Sequence, residues 1–73
     1  MAQRHPPISD RLRSLIAEHD WTQEELADNA DLPFSTVRSL IHGQRTNPQL
    51  ETVIALARAF GISIDELVFG KKR

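Results

Sequence analysis

Cysteine is absent from this sequence, and tyrosine is absent as well. Without cysteine the chain can form neither a disulfide framework nor a thiolate metal site, which excludes the usual stabilising devices of small secreted domains. It also lacks an apolar run long enough to span a membrane, and no apolar segment follows the first seven residues as a secretory signal would require. These absences predict a protein that acts in the cytoplasm, without a membrane partner.

Groups that would indicate an enzyme are missing too. The sequence has no glycine-rich phosphate loop, and serine, histidine and acidic residues do not stand in the arrangement of a nucleophilic site. The three histidines, His5, His19 and His42, are far apart, and none has a second metal ligand three or four residues away. We therefore predict no catalytic activity, no metal and no cofactor.

The chain has 73 residues, which is room for one domain. Its hydrophobic share of 40% and its charged share of 26% are typical of a folded globular protein. We divide it into a flexible arm over residues 1–8, a helical domain over residues 9–69 and a basic tail over residues 70–73. This length leaves no room for a separate sensor domain, unless the chain is a piece of a longer protein.

The charge is unevenly distributed along the chain. A net charge of −1 by itself disfavours a nucleic-acid partner, because domains that bind nucleic acid often carry a basic excess. Between Ser14 and Asp31, however, there are six acids and no Lys or Arg, whereas residues 32–50 contain Arg38 and Arg45 and no acid. Since such a division also arises by chance in a short chain, charge alone does not decide the partner.

The spacing of apolar residues predicts an all-α protein, because they recur three and four positions apart and no strand pattern occurs. A first helix is expected from about Ser9, the candidate N-cap, to His19. The second helix begins at Thr22, where Thr-Gln-Glu-Glu forms a capping box. Trp21 and Leu26 stand at the positions of a hydrophobic staple around this start. Both signals indicate the same helix boundary.

A third helix is expected over residues 33–42, ending at Gly43 in the left-handed conformation. The fourth stops at Gly61 and carries a stripe that we expect at the centre of the core: Leu50, Val53, Ile54, Ala57 and Phe60. The fifth begins with a second capping box over residues 63–66 and ends before Gly70. The predicted fold is a compact bundle of five short helices.

Residues 23–40 are the informative stretch, because two short helices are joined there by a tight turn around Asp31 and Leu32. Aspartate is one of the few residue types besides glycine that accept the left-handed conformation expected in this turn. Ala27, midway along the first of the two helices, is small enough to let the second helix cross closely. This is the spacing of a helix-turn-helix.

At these residues the sequence resembles the phage-repressor and Cro-like (XRE-type) helix-turn-helix family, which includes many small bacterial regulators and antitoxins. The resemblance covers residues 11–69. It rests on segments in the family's order and spacing: Thr-Gln-Glu-Glu-Leu-Ala (22–27), Leu-Pro-Phe-Ser-Thr-Val (32–37), Gly43, Asn-Pro (47–48), Leu-Glu-Thr (50–52) and Phe-Gly-Ile-Ser-Ile-Asp-Glu-Leu (60–67). Two residues depart from the pattern. Asp31 replaces a preferred glycine, and Ile41 replaces a polar residue, which leaves its apolar side chain expected at the surface.

The resemblance implies a sequence-specific transcriptional repressor that inserts residues 33–42 into the major groove of double-stranded DNA. If Val37 and Leu40 face the core, the opposite face of this helix is free to contact bases. The candidate base-contacting residues are Phe34, Ser35, Arg38 and Ser39. Phe34 would contact thymine methyl groups, and Arg38 either a guanine or a phosphate.

Phosphate contacts are expected from the start of the second helix and from the loop after the third. Free N–H groups at a helix N-terminus and polar loop side chains are common phosphate ligands. The candidates are Thr22, Gln23, His42, Gln44, Arg45, Thr46 and Asn47. Most of the six acids are expected to lie away from the duplex, but Glu24 and Glu25 stand in the first turn of the helix that crosses the DNA backbone.

Two interpretations of the function stay open. One is a repressor of bacterial or phage origin that binds a roughly two-fold operator as a homodimer. The other is an antitoxin or another protein-binding module, which would use the acidic residues between 14 and 31 to bind a toxin or a different protein. Four apolar residues exceed what one small core needs, and some of them are candidates for a dimer surface: Ile41, Leu67, Val68 and Phe69.

Overall fold

The computed structural model describes residues 7–70. Residues 1–6, with His5 and most of the predicted arm, and residues 71–73 of the predicted tail lie outside the described residues. Five helices follow in chain order: α1 (Ile8–His19), α2 (Gln23–Ala30), α3 (Phe34–Ile41), α4 (Leu50–Phe60) and α5 (Ile64–Phe69). No strand occurs between residues 7 and 70, and the all-α prediction is confirmed. Over the same range, no helix combines the length and apolar character that crossing a membrane requires.

One core holds the five helices together. Its fully buried large side chains come from every helix: Leu12, Leu26, Val37, Leu40, Leu56 and Leu67. Helix α1 packs on α3 and α5, α2 packs on α3 and α4, and α4 packs on α5. Because helices this short are marginal on their own, the position of each depends on these shared contacts.

Helix α1 begins at Ile8, and the prediction of Ser9 as its N-cap is wrong. Pro7 is the residue before the helix, with φ −57° and ψ 143°, and Ile8 packs against the core. Ser9 is buried in the first turn and approaches Gly43, where an added Cβ would lie 3.9 Å from the serine Oγ. Helix α1 therefore begins two residues before the start that Ser9 as N-cap would give.

The prediction for the buried face of α4 is wrong in part. Ala57 and Phe60 are buried as expected, but Leu50 is 67% exposed, and Leu56, which the predicted stripe left out, is fully buried. Val53 is partly buried and packs against the core. The apolar residues of this helix outnumber those of one face, so packing on α2 and α5 selects which of them are buried.

Ile41 is buried, with only 2% of its surface exposed, so the expectation of an exposed apolar side chain there is wrong. It is the last residue of α3, the helix on which α1 packs, and it belongs to the core cluster. Leu67 is also fully buried, while Val68 is half-buried and Phe69 is exposed. Two of the four candidates for a dimer surface, Ile41 and Leu67, are therefore core residues.

Arg11 joins α1 to the end of α5. Its Nε donates to the backbone oxygen of Leu67 and its Nη2 to that of Glu66, both at 3.2 Å. Its side chain lies against Gly70, where an added Cβ would approach Arg11 Nε to 3.3 Å. The carbonyl of Glu66 also accepts from the N–H of Gly70 at 2.9 Å, so the guanidinium is a second donor there, and it supplies a donor to the carbonyl of Leu67 in the last turn. Both bonds tie α1 to the end of α5.

We expect Arg11→Met to lower the free energy of unfolding by about 1–2 kcal/mol, because two carbonyl groups lose a charged donor. Urea denaturation followed by circular dichroism measures the change. Arg13→Met is the matched control: Arg13 forms an exposed ion pair with Asp10 at 3.0 Å, and losing such a pair should cost under about 0.5 kcal/mol. Equal losses in the two variants would contradict the role given to Arg11.

Candidate nucleic-acid interface

The turn between α2 and α3 sets the direction of α3. Asp31 ends α2 in the left-handed conformation, with φ 56° and ψ 44°, as the sequence predicted. The N–H of Leu32 donates to the carbonyl of Ala27 at 3.0 Å, and that of Asp31 to Asp28 at 3.2 Å. This pair of bonds is a Schellman arrangement, which ends one helix and starts the chain toward the next. Ala27 is buried, in keeping with a close crossing of the two helices.

Helix α3 presents one face to the core and the opposite face to solvent. Its buried residues are Val37, Leu40 and Ile41. Of the predicted base-contacting residues, Phe34, Ser35 and Arg38 are exposed and Ser39 is half-buried. Phe34 exposes 43% of its surface, which is unusual for a large aromatic side chain in a small domain. The eight helical residues span about 12 Å along the axis, and a major groove is wide enough to admit an α-helix.

The loop after α3 is held against the end of that helix. Gly43 adopts φ 78°, and the N–H groups of Gln44 and Arg45 both donate to the carbonyl of Ser39, at 2.9 and 3.2 Å. The candidate phosphate ligands of this region are exposed: His42, Gln44, Arg45, Thr46 and Asn47. The backbone bonds to Ser39 therefore bring the first loop residues beside the solvent-facing side of α3.

A surface cleft of about 570 Å³ separates the start of α3 from the start of α4. Its polar lining residues are Thr36, Arg45, Thr46, Asn47, Gln49 and Thr52. Gln49 precedes α4 without a side-chain cap on the helix. The first N–H groups of α4 and the positive end of its dipole therefore lie at the edge of the cleft, where they favour an anion. Sequence analysis did not identify Thr36, Gln49 or Thr52, although the absence of acids from residues 32–50 was a signal for the first two.

The start of α2 forms the remaining candidate contact. Thr22 Oγ1 accepts from the N–H of Glu25 at 3.1 Å, and Glu25 Oε1 accepts from the N–H of Thr22 at 2.8 Å, which confirms the capping box. The backbone N–H of Thr22 is thus occupied, but its hydroxyl proton remains available to a phosphate oxygen. Thr22 is exposed and Gln23 is half-buried, and neither lines the cleft between α3 and α4.

Charge is divided in space as it is along the chain. All six acids of the acidic segment are exposed: Glu18, Asp20, Glu24, Glu25, Asp28 and Asp31. They lie on α1, on α2 and at the ends of these helices, whereas α3 and its following loop carry none. Within residues 7–70 neither Arg38 nor Arg45 forms an ion pair, so both charges can act on an external anion. The net charge of the chain therefore does not describe the potential near α3.

The model for the helix-turn-helix family matches residues 12–67, which include all of α2, α3 and α4. The matched range begins and ends at two core residues, Leu12 and Leu67. The region matched is thus the folded unit described above.

Three individual proteins are similar over most of this chain. The cryptic phage CTXphi transcriptional repressor RstR of Vibrio cholerae is 38% identical over 61 residues, which cover 84% of this chain and 54% of RstR. The HTH-type transcriptional regulator DdrOP3 of Deinococcus deserti is 35% identical over 63 residues, covering 86% and 48%. The crystal structure of the restriction-modification controller protein C.AhdI from Aeromonas hydrophila has a TM-score of 0.76 and 37% identity, covering 82% and 89%. The chain spans about half the length of the two curated relatives, and none of the three is named as an antitoxin.

We expect Thr22→Ala to lower the free energy of unfolding by about 1 kcal/mol, because the N–H of Glu25 loses its side-chain acceptor. Thr22→Ser keeps a hydroxyl at the same place and should retain most of that stability. Urea denaturation of the two variants beside the parent protein measures the difference. The capping assignment would be refuted by an alanine variant as stable as the serine variant.

Proposed function

Since the chain belongs to the helix-turn-helix family, we propose that it is a sequence-specific DNA-binding transcriptional regulator, and within that class a repressor. The observation that carries the proposal is the solvent-exposed face of α3, the second helix of the helix-turn-helix that α2 and α3 form within the matched residues. The names of the related proteins, a transcriptional repressor and a transcriptional regulator, support the same function. The proposed role requires binding and no catalysis. Its place of action would be the cytoplasm of a bacterium, where the DNA is.

In this proposal α3 enters the major groove and reads base edges. Arg38 has the donor geometry to bind a guanine through two hydrogen bonds, and Ser35 and Ser39 can donate or accept single bonds. Phe34 has no hydrogen-bonding group, so its exposed ring would pack against a thymine methyl group. Specificity would then come from few contacts, each of which matters.

Phosphates would be held on either side of α3. On one side are Arg45, the hydroxyl groups of the cleft and the start of α4. On the other side are the hydroxyl of Thr22 and the amide of Gln23, at the start of α2. His42, Gln44, Thr46 and Asn47 add exposed polar groups along the loop. Such contacts position the protein without reading the sequence.

One domain of this size offers a limited contact area, and we propose that it binds a roughly two-fold operator as a homodimer. Two copies double the number of base contacts without a change in either copy. The symmetry of the operator then follows the symmetry of the protein. Two-fold dimers are also the commonest oligomers of soluble proteins.

DNA binding is tested by fluorescence anisotropy. The operator is first selected from a random DNA library, and its affinity is then measured beside a scrambled duplex at several salt concentrations. We expect the logarithm of the affinity for the operator to fall linearly with the logarithm of the salt concentration, with a slope of about −0.9 for each phosphate neutralised. Equal affinity for both duplexes, or affinity that does not depend on salt, would refute the proposal.

Two substitutions separate base reading from phosphate binding. We expect Phe34→Ala to lower affinity for the operator by about 1–3 kcal/mol and to relax the preference at one base pair, because the thymine contact is lost. Arg45→Ala should weaken operator and scrambled DNA alike and reduce the salt slope by about one. The control is Glu18→Gln, which alters an exposed charge on α1. A Phe34→Ala variant with unchanged base preference would contradict the role of Phe34.

A further inference from the structure

A second surface cleft, of about 250 Å³, lies between the start of α1 and the segment that leads into α4, and we call it the apolar cleft. Most of its lining residues are apolar: Pro7, Ile8, Pro48, Val53 and Val68. A single helical turn, about 10 Å across and about 5 Å long, is larger than this cleft. A cavity of roughly 150 Å³, by contrast, already holds a benzene molecule. The apolar cleft is therefore of a size for a small organic molecule.

Ser9 contributes an unused hydroxyl group to the apolar cleft, which it lines. The residue is nine-tenths buried, with 9% of its surface exposed, and its hydroxyl forms no hydrogen bond with any of residues 7–70. Buried hydroxyl groups usually have a partner, because leaving one without a partner costs free energy. Every side-chain oxygen or nitrogen in this range that is sealed from solvent does have one, so the Ser9 hydroxyl is open to solvent. A ligand in the cleft can supply the missing partner.

The start of α1 adds two further donors at the same end of the apolar cleft. Pro7, the residue before the helix, provides no side-chain cap. Its carbonyl accepts from the N–H groups of Asp10 and Arg11, at 3.0 and 3.2 Å. The first two N–H groups of the helix, those of Ile8 and Ser9, have no acceptor among residues 7–70. They lie at the positive end of the helix dipole, which favours an anion.

We propose that the apolar cleft binds a small monocarboxylate with an apolar body. The carboxylate accepts from the Ser9 hydroxyl and from the first N–H groups of α1. The body packs against Val53 and Val68, from α4 and α5, and displaces water from them. The polar end and the apolar wall of the cleft are then both occupied by one molecule.

The charges around the apolar cleft favour a carboxylate over other head groups. None of the described residues that line the cleft is charged, so an amine would find no acid to bind. A phosphate would find no Lys or Arg, and it has no apolar body for the valines. The acid in the first turn of α1 is Asp10, which is exposed and bonded to Arg13 at 3.0 Å. Its charge is thereby partly compensated.

The apolar cleft shares a wall with the cleft beside α3, because Thr46, Asn47 and Pro48 line both of them. Thr46 and Asn47 are among the proposed phosphate ligands. A carboxylate in the apolar cleft would therefore place a like charge one loop away from the DNA backbone, and salt screens charges only over about 8 Å. We expect the ligand to weaken DNA binding, and DNA to weaken ligand binding by the same factor. This coupling rests on the proposed function, whereas the ligand site does not.

Hexanoate is a suitable probe, because it joins a carboxylate to a short apolar chain. Its binding to the full-length, isotope-labelled protein is followed by NMR without DNA. We expect saturable shifts at the amides of Ile8, Ser9 and residues 46–48, with a dissociation constant on the order of 1 mM. Hexanol keeps the chain without the charge, and acetate keeps the charge with almost no chain. Both should bind about tenfold more weakly or worse.

Ser9→Ala should weaken hexanoate binding about tenfold, because the carboxylate loses a donor. Hexanol binding should change by about twofold or less, since the apolar wall remains. A general distortion of the cleft would weaken both probes equally, so this contrast isolates the hydroxyl. Ser14→Ala, at an exposed serine of α1, is the matched control and should bind both probes like the parent. Val68→Phe fills the cleft and should abolish both, with folding checked by circular dichroism.

Several outcomes would overturn the proposal: no saturable shift with hexanoate, hexanol or acetate binding as tightly as hexanoate, or shifts outside the cleft. Another is a set of NMR contacts between residues 1–6 and Val53 or Val68 in the full chain, which would assign the cleft to the N-terminal arm.

Fluorescence anisotropy of the operator, with and without saturating hexanoate, tests the coupling. We expect DNA affinity to fall about fivefold in the parent chain and to stay unchanged in Ser9→Ala at the same hexanoate concentration. Binding of both ligands without mutual effect would refute the coupling. A chain that binds hexanoate but not DNA would refute the proposed function and leave the site standing. Specific DNA binding by a chain that does not bind hexanoate would do the reverse.

Discussion

The proposed DNA interface depends on one backbone conformation, the left-handed turn at Asp31. Two hydrogen bonds back to α2 stabilise this turn, and they direct the chain into α3 at a fixed angle. That angle places Val37 and Leu40 in the core, and the helical repeat then puts Phe34 and Arg38 in solvent. The tight turn thus decides which residues of α3 are available to a ligand. Aspartate can hold this conformation because its short polar side chain tolerates it better than most side chains do.

Helix α4 contributes both to the core and to the cleft beside α3. One side places Leu56 and Phe60 in the core, and its start borders the cleft through Thr52 and the preceding residue, Gln49. A helix can serve two surfaces because residues three or four apart share a face while adjacent residues do not. The core and one edge of the proposed DNA interface therefore share this helix. Movement of α4 would change both of them together.

Most of the secondary structure could be predicted from the sequence, because its signals are local. The capping box at Thr22, the left-handed Asp31 and the glycines that end helices involve hydrogen bonds between residues only a few positions apart. The exposed face of α3 could be predicted too, once Val37 and Leu40 were assigned to the core. The polar lining of the cleft could not, because Thr36 and Thr52 belong to different helices that only the fold brings together.

By itself the sequence determined the helix boundaries to within a residue or two, the helix-turn-helix and the absence of acids from the region of α3. Tertiary structure decided the burial of apolar residues that the sequence pattern placed wrongly: Ile41 is in the core and Leu50 is not. It also gave Arg11 its place at the end of α5, 55 residues away along the chain. The physical reason is that capping and turn formation depend on neighbours in sequence, whereas burial depends on neighbours in space, which are set only when all five helices pack together.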